Sequence, residues 1–260
     1  DLQASAPRVR RRRTVCGVVV ESLIVAMLAV ARPPERPPDV QGTYFRGGAG
    51  APVVVWGGSS GRPPDALAAR LAAAGHPALS VRYFGRGDLP HELARVPLEY
   101  FARAIRVLDR QPGVDGRRMV VLGSSRGSEA ALHVAAAYPR LVHGVIVTAP
   151  SSKAYSAPYD LSVSAWTYRG REVPYARLDG ADPATEPRSV IPVERIRGPV
   201  LLGAGANDAF YDSAAYAAAI VRRLRRRRFG FRVRSVVFPH AGHSVADRLM
   251  PDILRFLDQI

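Results

Sequence analysis

From Gly42 onward, short apolar runs alternate with longer amphipathic ones. The runs Gly42 to Phe45, Pro52 to Trp56, Ala78 to Val81, Met119 to Leu122, Gly144 to Val147, Val200 to Gly203 and Phe231 to Phe238 predict strands. Between them, Ala66 to Ala74, Leu98 to Leu108, Ser128 to Ala137, Ser213 to about Arg228 and Val245 to Leu257 carry the patterning of helices. Pro63, Pro64 and Asp65 open the first helix and Gly75 stops it. Strands and helices alternating at this spacing predict an α/β fold, a mostly parallel sheet covered by helices on both faces.

Two stretches break the rhythm. Between Pro150 and Pro187, Ser, Tyr and Pro dominate without a sustained period, and Trp166, Tyr155, Tyr159, Tyr168 and Tyr175 are scattered among them. That composition predicts a loop-rich cap at about 151–187 over the carboxyl edge of the sheet, with Trp166 and Tyr155 expected in the wall of a substrate pocket. Near the start, a positive run from Arg8 to Arg13 precedes a mostly apolar stretch from Val15 to Ala31 and then a proline-rich segment, Arg32 to Pro38. This is the outline of a signal peptide or membrane anchor. Against it, Glu21 and Ser22 interrupt the apolar run, and the span falls short of the ~20 residues a membrane helix needs. A remnant of an upstream strand or domain is the alternative. The expected organisation is an N-terminal segment and linker over 1–42 and one catalytic domain over 43–260. Membrane contact through residues 15–31 stays open, and so does the compartment, with a cytoplasmic location favoured.

Composition alters this picture little. At 260 residues with 47% hydrophobic content, one large core is within reach. The net charge of +15 comes almost wholly from arginine, Lys153 being the single lysine, and reads as a bias toward GC-rich codons. A basic surface can attract anionic ligands such as CoA phosphates or an acidic carrier protein. Neither basic residues interleaved with aromatics nor a known nucleic-acid module is visible, so no nucleic-acid partner is expected. The single cysteine, Cys16, excludes an intramolecular disulfide. The arginine run from Arg222 to Arg228 closes a helix and reads as its solvated end, and Arg86-Gly87-Asp88 reads as a chance tripeptide in a loop.

The chemistry centres on Gly123-Ser124-Ser125-Arg126-Gly127, which joins a predicted strand to a predicted helix by the pattern Gly-x-Ser-x-Gly. In such a turn, side chains two positions either side of the central serine would collide, so Gly123 and Gly127 stand where they must. Ser125 alone is centred between glycines, and its hydroxyl should project above the sheet as a nucleophile, with the Arg126 amide facing a developing oxyanion. A serine needs a base and an orienting carboxylate, which follow in the order acid then histidine in α/β-hydrolases. Asp208 follows the strand at Val200 to Gly203, and Asp212 is an available alternative as well as a helix cap. After the strand at Phe231 to Phe238 come His240 and His243, of which His243 is the better base. The second oxyanion donor is expected from the amide of Ser59 or Gly58 in the loop Gly57-Gly58-Ser59-Ser60-Gly61. No metal and no cofactor is called for.

Several segments together resemble a known family. They are Tyr83-Phe84-Gly85-Arg86-Gly87-Asp88-Leu89-Pro90, Leu98-Glu99-Tyr100-Phe101, the serine turn, Ile191-Pro192-Val193-Glu194-Arg195-Ile196, Asn207-Asp208-Ala209-Phe210-Tyr211-Asp212-Ser213 and Ala241-Gly242-His243. From about Thr43 to the end, the chain resembles the C-terminal catalytic domain shared by acyl-CoA thioesterases and bile acid-CoA:amino acid N-acyltransferases. The resemblance implies an α/β-hydrolase fold, a triad of Ser125, Asp208 and His243, and acyl-CoA thioesters as the substrate class. Family members often carry an N-terminal immunoglobulin-like domain, which the residues before Thr43 are too few to supply. The acyltransferase branch commonly has a cysteine nucleophile, whereas this chain has Ser125, which favours hydrolysis over transfer. The expectation is therefore a serine hydrolase acting on a small-molecule acyl thioester or ester. The alternatives are a carboxylesterase or dienelactone-type hydrolase, an acyltransferase of secondary metabolism, or a membrane-tethered interaction protein that has lost catalysis.

Overall fold

In the computed structural model, described over residues 33–180 and 186–260, ten strands and six α-helices alternate along the chain among the described residues. The apolar runs become β1 (Gly42–Phe45), β2 (Val53–Trp56), β3 (Ala78–Val81), β5 (Val120–Ser124), β6 (Gly144–Thr148), β9 (Val200–Gly205) and β10 (Val233–Phe238). These form one sheet in the order β1-β3-β2-β5-β6-β9-β10, parallel except for β1, which pairs antiparallel with β3. The amphipathic runs become α1 (Asp65–Ala73), α2 (Leu98–Asp109), α3 (Arg126–Ala137), α5 (Ser213–Arg226) and α6 (Ala246–Leu257), and a short α4 spans Glu186–Ser189.

Alternate strand residues serve two cores. Val53, Val55, Val120 and Leu122 pack with Leu71 of α1 and Leu249 and Ile253 of α6 on one face. Val54, Trp56, Val121 and Val145 pack with Phe101 and Ile105 of α2, Leu132 of α3 and Ile220 of α5 on the other. A strand with both faces buried is apolar at nearly every position, which is why β2, β5 and β6 lack the polar alternation of a half-exposed sheet.

β5 and β9 continue past their predicted ends, through Gly123 and Gly205. Glycine reads as a strand breaker in sequence, but here it permits close packing: a Cβ on Gly205 would lie 2.1 Å from the Gly242 oxygen. The stretch between β6 and β9, expected to be loop-rich, also holds strand structure. β4 (Val96–Pro97), β7 (Trp166–Tyr168) and β8 (Arg171–Glu172) form a second small sheet, with β7 and β8 joined through Arg169 and Gly170, both at positive φ. Strands of two and three residues are too short to show a period, and half of this sheet's pairing comes from β4, far upstream. The arginine run ends α5 with most of its guanidiniums exposed, while Arg223 forms a two-pronged ion pair with Glu194 at 2.7 and 2.8 Å.

Within the proline-rich segment, Glu35 exchanges backbone hydrogen bonds with Tyr44 of β1 at 2.9 and 2.6 Å. Among the described residues no helix is long and apolar enough to cross a membrane. The run at 15–31 lies outside the described residues.

One buried group makes the fold acid-sensitive. His133 on α3 is 9% exposed, its Nε2 lacks a hydrogen-bond partner among the described residues, and burial pushes its pKa down to about 4. In the unfolded chain the imidazole titrates at ~6.5, so the unfolded state binds more protons between those values and stability falls as the pH drops across that window. The expected loss is roughly 3 kcal/mol between about pH 7 and pH 4. Urea unfolding of the wild type and His133→Leu at both ends of the window checks this. The wild type should lose more than the variant, and equal losses would contradict the assignment.

Candidate active site

Three loops leave the same carboxyl edge of the sheet, after β5, β9 and β10, and each delivers one polar side chain. Ser125, between β5 and α3, has φ 55° and ψ −127°, a strained backbone conformation for a residue with a side chain. Its amide N–H donates to the Thr148 oxygen at 2.9 Å, anchoring the turn to β6. The flanking glycines allow the turn to close: a Cβ on Gly123 would lie 2.2 Å from the Gly127 oxygen, and one on Gly127 would lie 2.1 Å from the Gly57 oxygen. Both contacts are with backbone, which cannot rotate aside. Gly127→Ala should therefore destabilise the protein by at least the ~1–3 kcal/mol of an overpacked core, read as a lowered thermal midpoint. A midpoint unchanged from wild type would show that the turn is looser than its contacts indicate.

His243, after β10, has Nε2 2.8 Å from the Ser125 Oγ and Nδ1 3.0 and 2.9 Å from the two carboxylate oxygens of Asp208. A carboxylate can only accept, so Nδ1 carries the proton and Nε2 is left to accept from the serine hydroxyl. The Asp208 side chain is 1% exposed. Burial alone would raise its pKa, but hydrogen bonds from the Ser213 hydroxyl, His243 and the Phe210 amide outweigh it and hold the carboxyl below its ordinary value. Asp208 is accordingly ionised at neutral pH. Asp212, the other acid considered, instead caps α5 by accepting from the Ala215 amide at 2.8 Å, and His240 is exposed at the surface.

Gly58 abuts the serine: a Cβ there would lie 2.8 Å from the Ser125 Cβ and 3.2 Å from its Oγ. The buried Tyr83 holds this loop, its hydroxyl shared between the Gly57 and Gly58 oxygens at 2.9 Å each. In a trans peptide the N–H points opposite to the C=O, so tying back both carbonyls turns the Gly58 and Ser59 amides away from Tyr83. Tyr211 is a second contributor to which sequence reasoning assigned no role. Its hydroxyl donates to the Ala149 oxygen at 2.5 Å and lies within hydrogen-bonding reach of Ser125, and its ring stands edge-on to His243 at 5.3 Å. Both tyrosines lie in segments that carry the family resemblance, which was the only signal available for them.

The segment after β6 is latched to the helix behind the serine. The Arg126 guanidinium, 9% exposed, donates to the Tyr155 and Ser156 oxygens at 3.2 and 2.9 Å and pairs with Glu129 at 3.1 Å. Glu129 Oε2 accepts from the Tyr155 amide at 3.1 Å and from Trp166 Nε1 at 2.9 Å. Burial raises the Glu129 pKa, and Arg126, Trp166 and the Tyr155 amide oppose that rise. Trp166, expected in the wall of a substrate pocket, is fully buried against Phe101 and Tyr83, so it supports its own segment from within and offers no surface to an occupant. Tyr155 is half-buried, and its hydroxyl meets that of Tyr216. Among the described residues no cluster of His, Cys, Asp and Glu could hold a metal ion.

The family model described as BAAT / Acyl-CoA thioester hydrolase C terminal matches residues 96–257, a span that includes Ser125, Asp208 and His243 and leaves out Gly58 and Ser59. Acyl-coenzyme A thioesterase 6 of Mus musculus is 30% identical over 203 residues, covering 75% of this chain and 48% of its own length. Acyl-coenzyme A amino acid N-acyltransferase 1 of Mus musculus is 29% identical over 193 residues, covering 71% and 46%. The chain spans about half the length of these curated relatives. Among solved structures, a Mycobacterium tuberculosis puromycin-hydrolyzing peptidase superposes with a TM-score of 0.67 at 16% identity, covering 87% of this chain and 39% of its own. At that identity the likeness concerns the fold, which is that of the α/β-hydrolases.

Proposed function

This chain belongs to the family described as BAAT / Acyl-CoA thioester hydrolase C terminal, and from that premise we propose that it is a serine hydrolase of acyl-CoA-type thioesters, working through an acyl-serine intermediate. The observation that carries the reading is the continuous hydrogen-bonded line from Ser125 through His243 to Asp208, starting at a serine held at positive φ. As Ser125 Oγ attacks the thioester carbonyl, His243 Nε2 takes its proton and Asp208 stabilises the imidazolium that forms. The carbonyl oxygen becomes an oxyanion, held by the Arg126 amide at the start of α3 and by the amides of Gly58 and Ser59. Collapse breaks the C–S bond, and His243 returns the proton to the departing sulfur. Water then gives a proton to the same nitrogen and attacks the acyl-serine ester, and Ser125 leaves with its proton restored. Tyr211 keeps the imidazole edge-on, and residues of the cap and the exposed Phe210, whose ring lies 4.8 Å from that of His243, border the approach of the acyl group.

The test is labelling with a fluorophosphonate, mapping of the modified residue, and a panel of acyl-CoAs and simple esters with and without glycine or taurine. A label on Ser125, faster turnover of acyl-CoAs than of esters, and free acid as product are expected. An unlabelled protein would sink the nucleophile assignment. An amide product would turn the reading to acyl transfer, and preference for simple esters to a carboxylesterase.

A further inference from the structure

Away from the triad, the β7–β8 hairpin, the later turns of α3 and the segment from Arg188 to Arg195 line an open cavity of about 620 Å³. Neither Ser125, Asp208 nor His243 lines it. Its floor is apolar, with Leu98, Ala136 and Val173 all nearly buried. Around that floor stand Arg171, Arg188 and Arg195, none of which has a carboxylate partner among the described residues. The one acid in the lining, Glu172, is engaged elsewhere, by Arg95 at 2.6 Å and by the Ser164 amide at 3.2 Å. From α3 the lining is completed by His133, more than nine-tenths buried, whose Nε2 has no partner among the described residues.

Other arginines nearby are used in ion pairs, as Arg95 is with Glu172 and Arg223 with Glu194. Three guanidiniums without a carboxylate partner among the described residues, around one apolar concavity, are a different arrangement. Guanidinium forks match carboxylate geometry, and an apolar floor with a few convergent polar groups, at this volume, is the make-up of a small-molecule site. We propose that this cavity binds an organic carboxylate with an apolar body, the arginines engaging the head group and Leu98, Ala136 and Val173 the body. Bare inorganic anions lack the apolar half of this match, and neutral alcohols lack the charged half.

The test uses the full chain carrying Ser125→Ala, with isotope-labelled histidine, titrated with decanoate, decanol and inorganic phosphate and followed by NMR. Decanoate should shift the His133 ring signals saturably, with decanol and phosphate weaker by about ten-fold or more, as expected when charge-assisted hydrogen bonds or the apolar contact are removed. The double variant Arg188→Ala/Arg195→Ala, which alters two exposed side chains, should weaken decanoate by a similar factor. His133 signals that stay still, decanol binding as well as decanoate, or a folded double variant with unchanged affinity would each overturn the proposal. If the double variant fails to fold, the three-ligand comparison on the parent protein still decides. Because the readout is binding to a protein without its serine hydroxyl, failure here is separate from failure of the hydrolase reading.

Discussion

Ser125→Ala is expected to lower kcat/KM by a factor of ~10⁴ to 10⁶ while leaving the thermal midpoint within about two degrees of wild type. The size follows from what remains: a site that still binds and still offers oxyanion donors, but has no group to carry the acyl chain. Stability should hold because the hydroxyl's bond to His243 is half-buried and local, while the strained turn is held by the Ser125 amide and the flanking glycines, which alanine does not touch. Alanine at φ 55° is no more strained than serine. Steady-state kinetics on an acyl-CoA, with circular dichroism melts on the same preparations, decides the matter. Substantial turnover by the folded variant would mean that another group is the nucleophile.

The largest expected effect on stability lies at Glu129. Replacing it with alanine leaves the Arg126 guanidinium 9% exposed and without its counter-charge, and deprives Trp166 Nε1 and the Tyr155 amide of their acceptor. Breaking a buried pair in this way costs about 3–5 kcal/mol. Arg126→Met should cost less, because the carboxyl left behind can neutralise by taking up a proton, toward which burial already biases it, whereas a guanidinium cannot lose one. The double variant Arg126→Met/Glu129→Ala should then fall well short of the sum of the single losses. Equilibrium urea unfolding of the set checks the ordering. A Glu129→Ala protein within about 1 kcal/mol of wild type would show that the latch is not structural.

The same latch marks where sequence reasoning stopped. Glu129 sits in the first turn of a helix, where a glutamate ordinarily faces water and complements the dipole, and nothing in its local sequence distinguishes it from such a residue. Its burial is decided by Trp166 and Tyr155, which the chain brings back over α3 from the segment between β6 and β9. Trp166 itself was legible as an ordered aromatic of the cap, but whether its face is free or buried depends on Tyr83 and Phe101, from two other segments. The two-residue strand at Val96–Pro97 was likewise illegible, because its only reason to be extended is its partner β7.

What the sequence determined by itself was whatever depends on local pattern or on covalent order: the strands apolar at nearly every position, the helices between them, the glycines that a tight serine turn requires, and the succession of serine, acid and histidine beyond strand ends. Residue spacing is enough for these, because a parallel sheet sends every strand's exit loop to one edge. The preference for Asp208 over Asp212 and for His243 over His240 was already read from the sequence and its family resemblance, but the distances that join Ser125, His243 and Asp208 belonged to the tertiary structure. So did the tie from Tyr83 to the Gly57–Gly58 loop, the latch at Glu129 and the arginine-ringed cavity, which are made by side chains far apart in the chain meeting across packed elements.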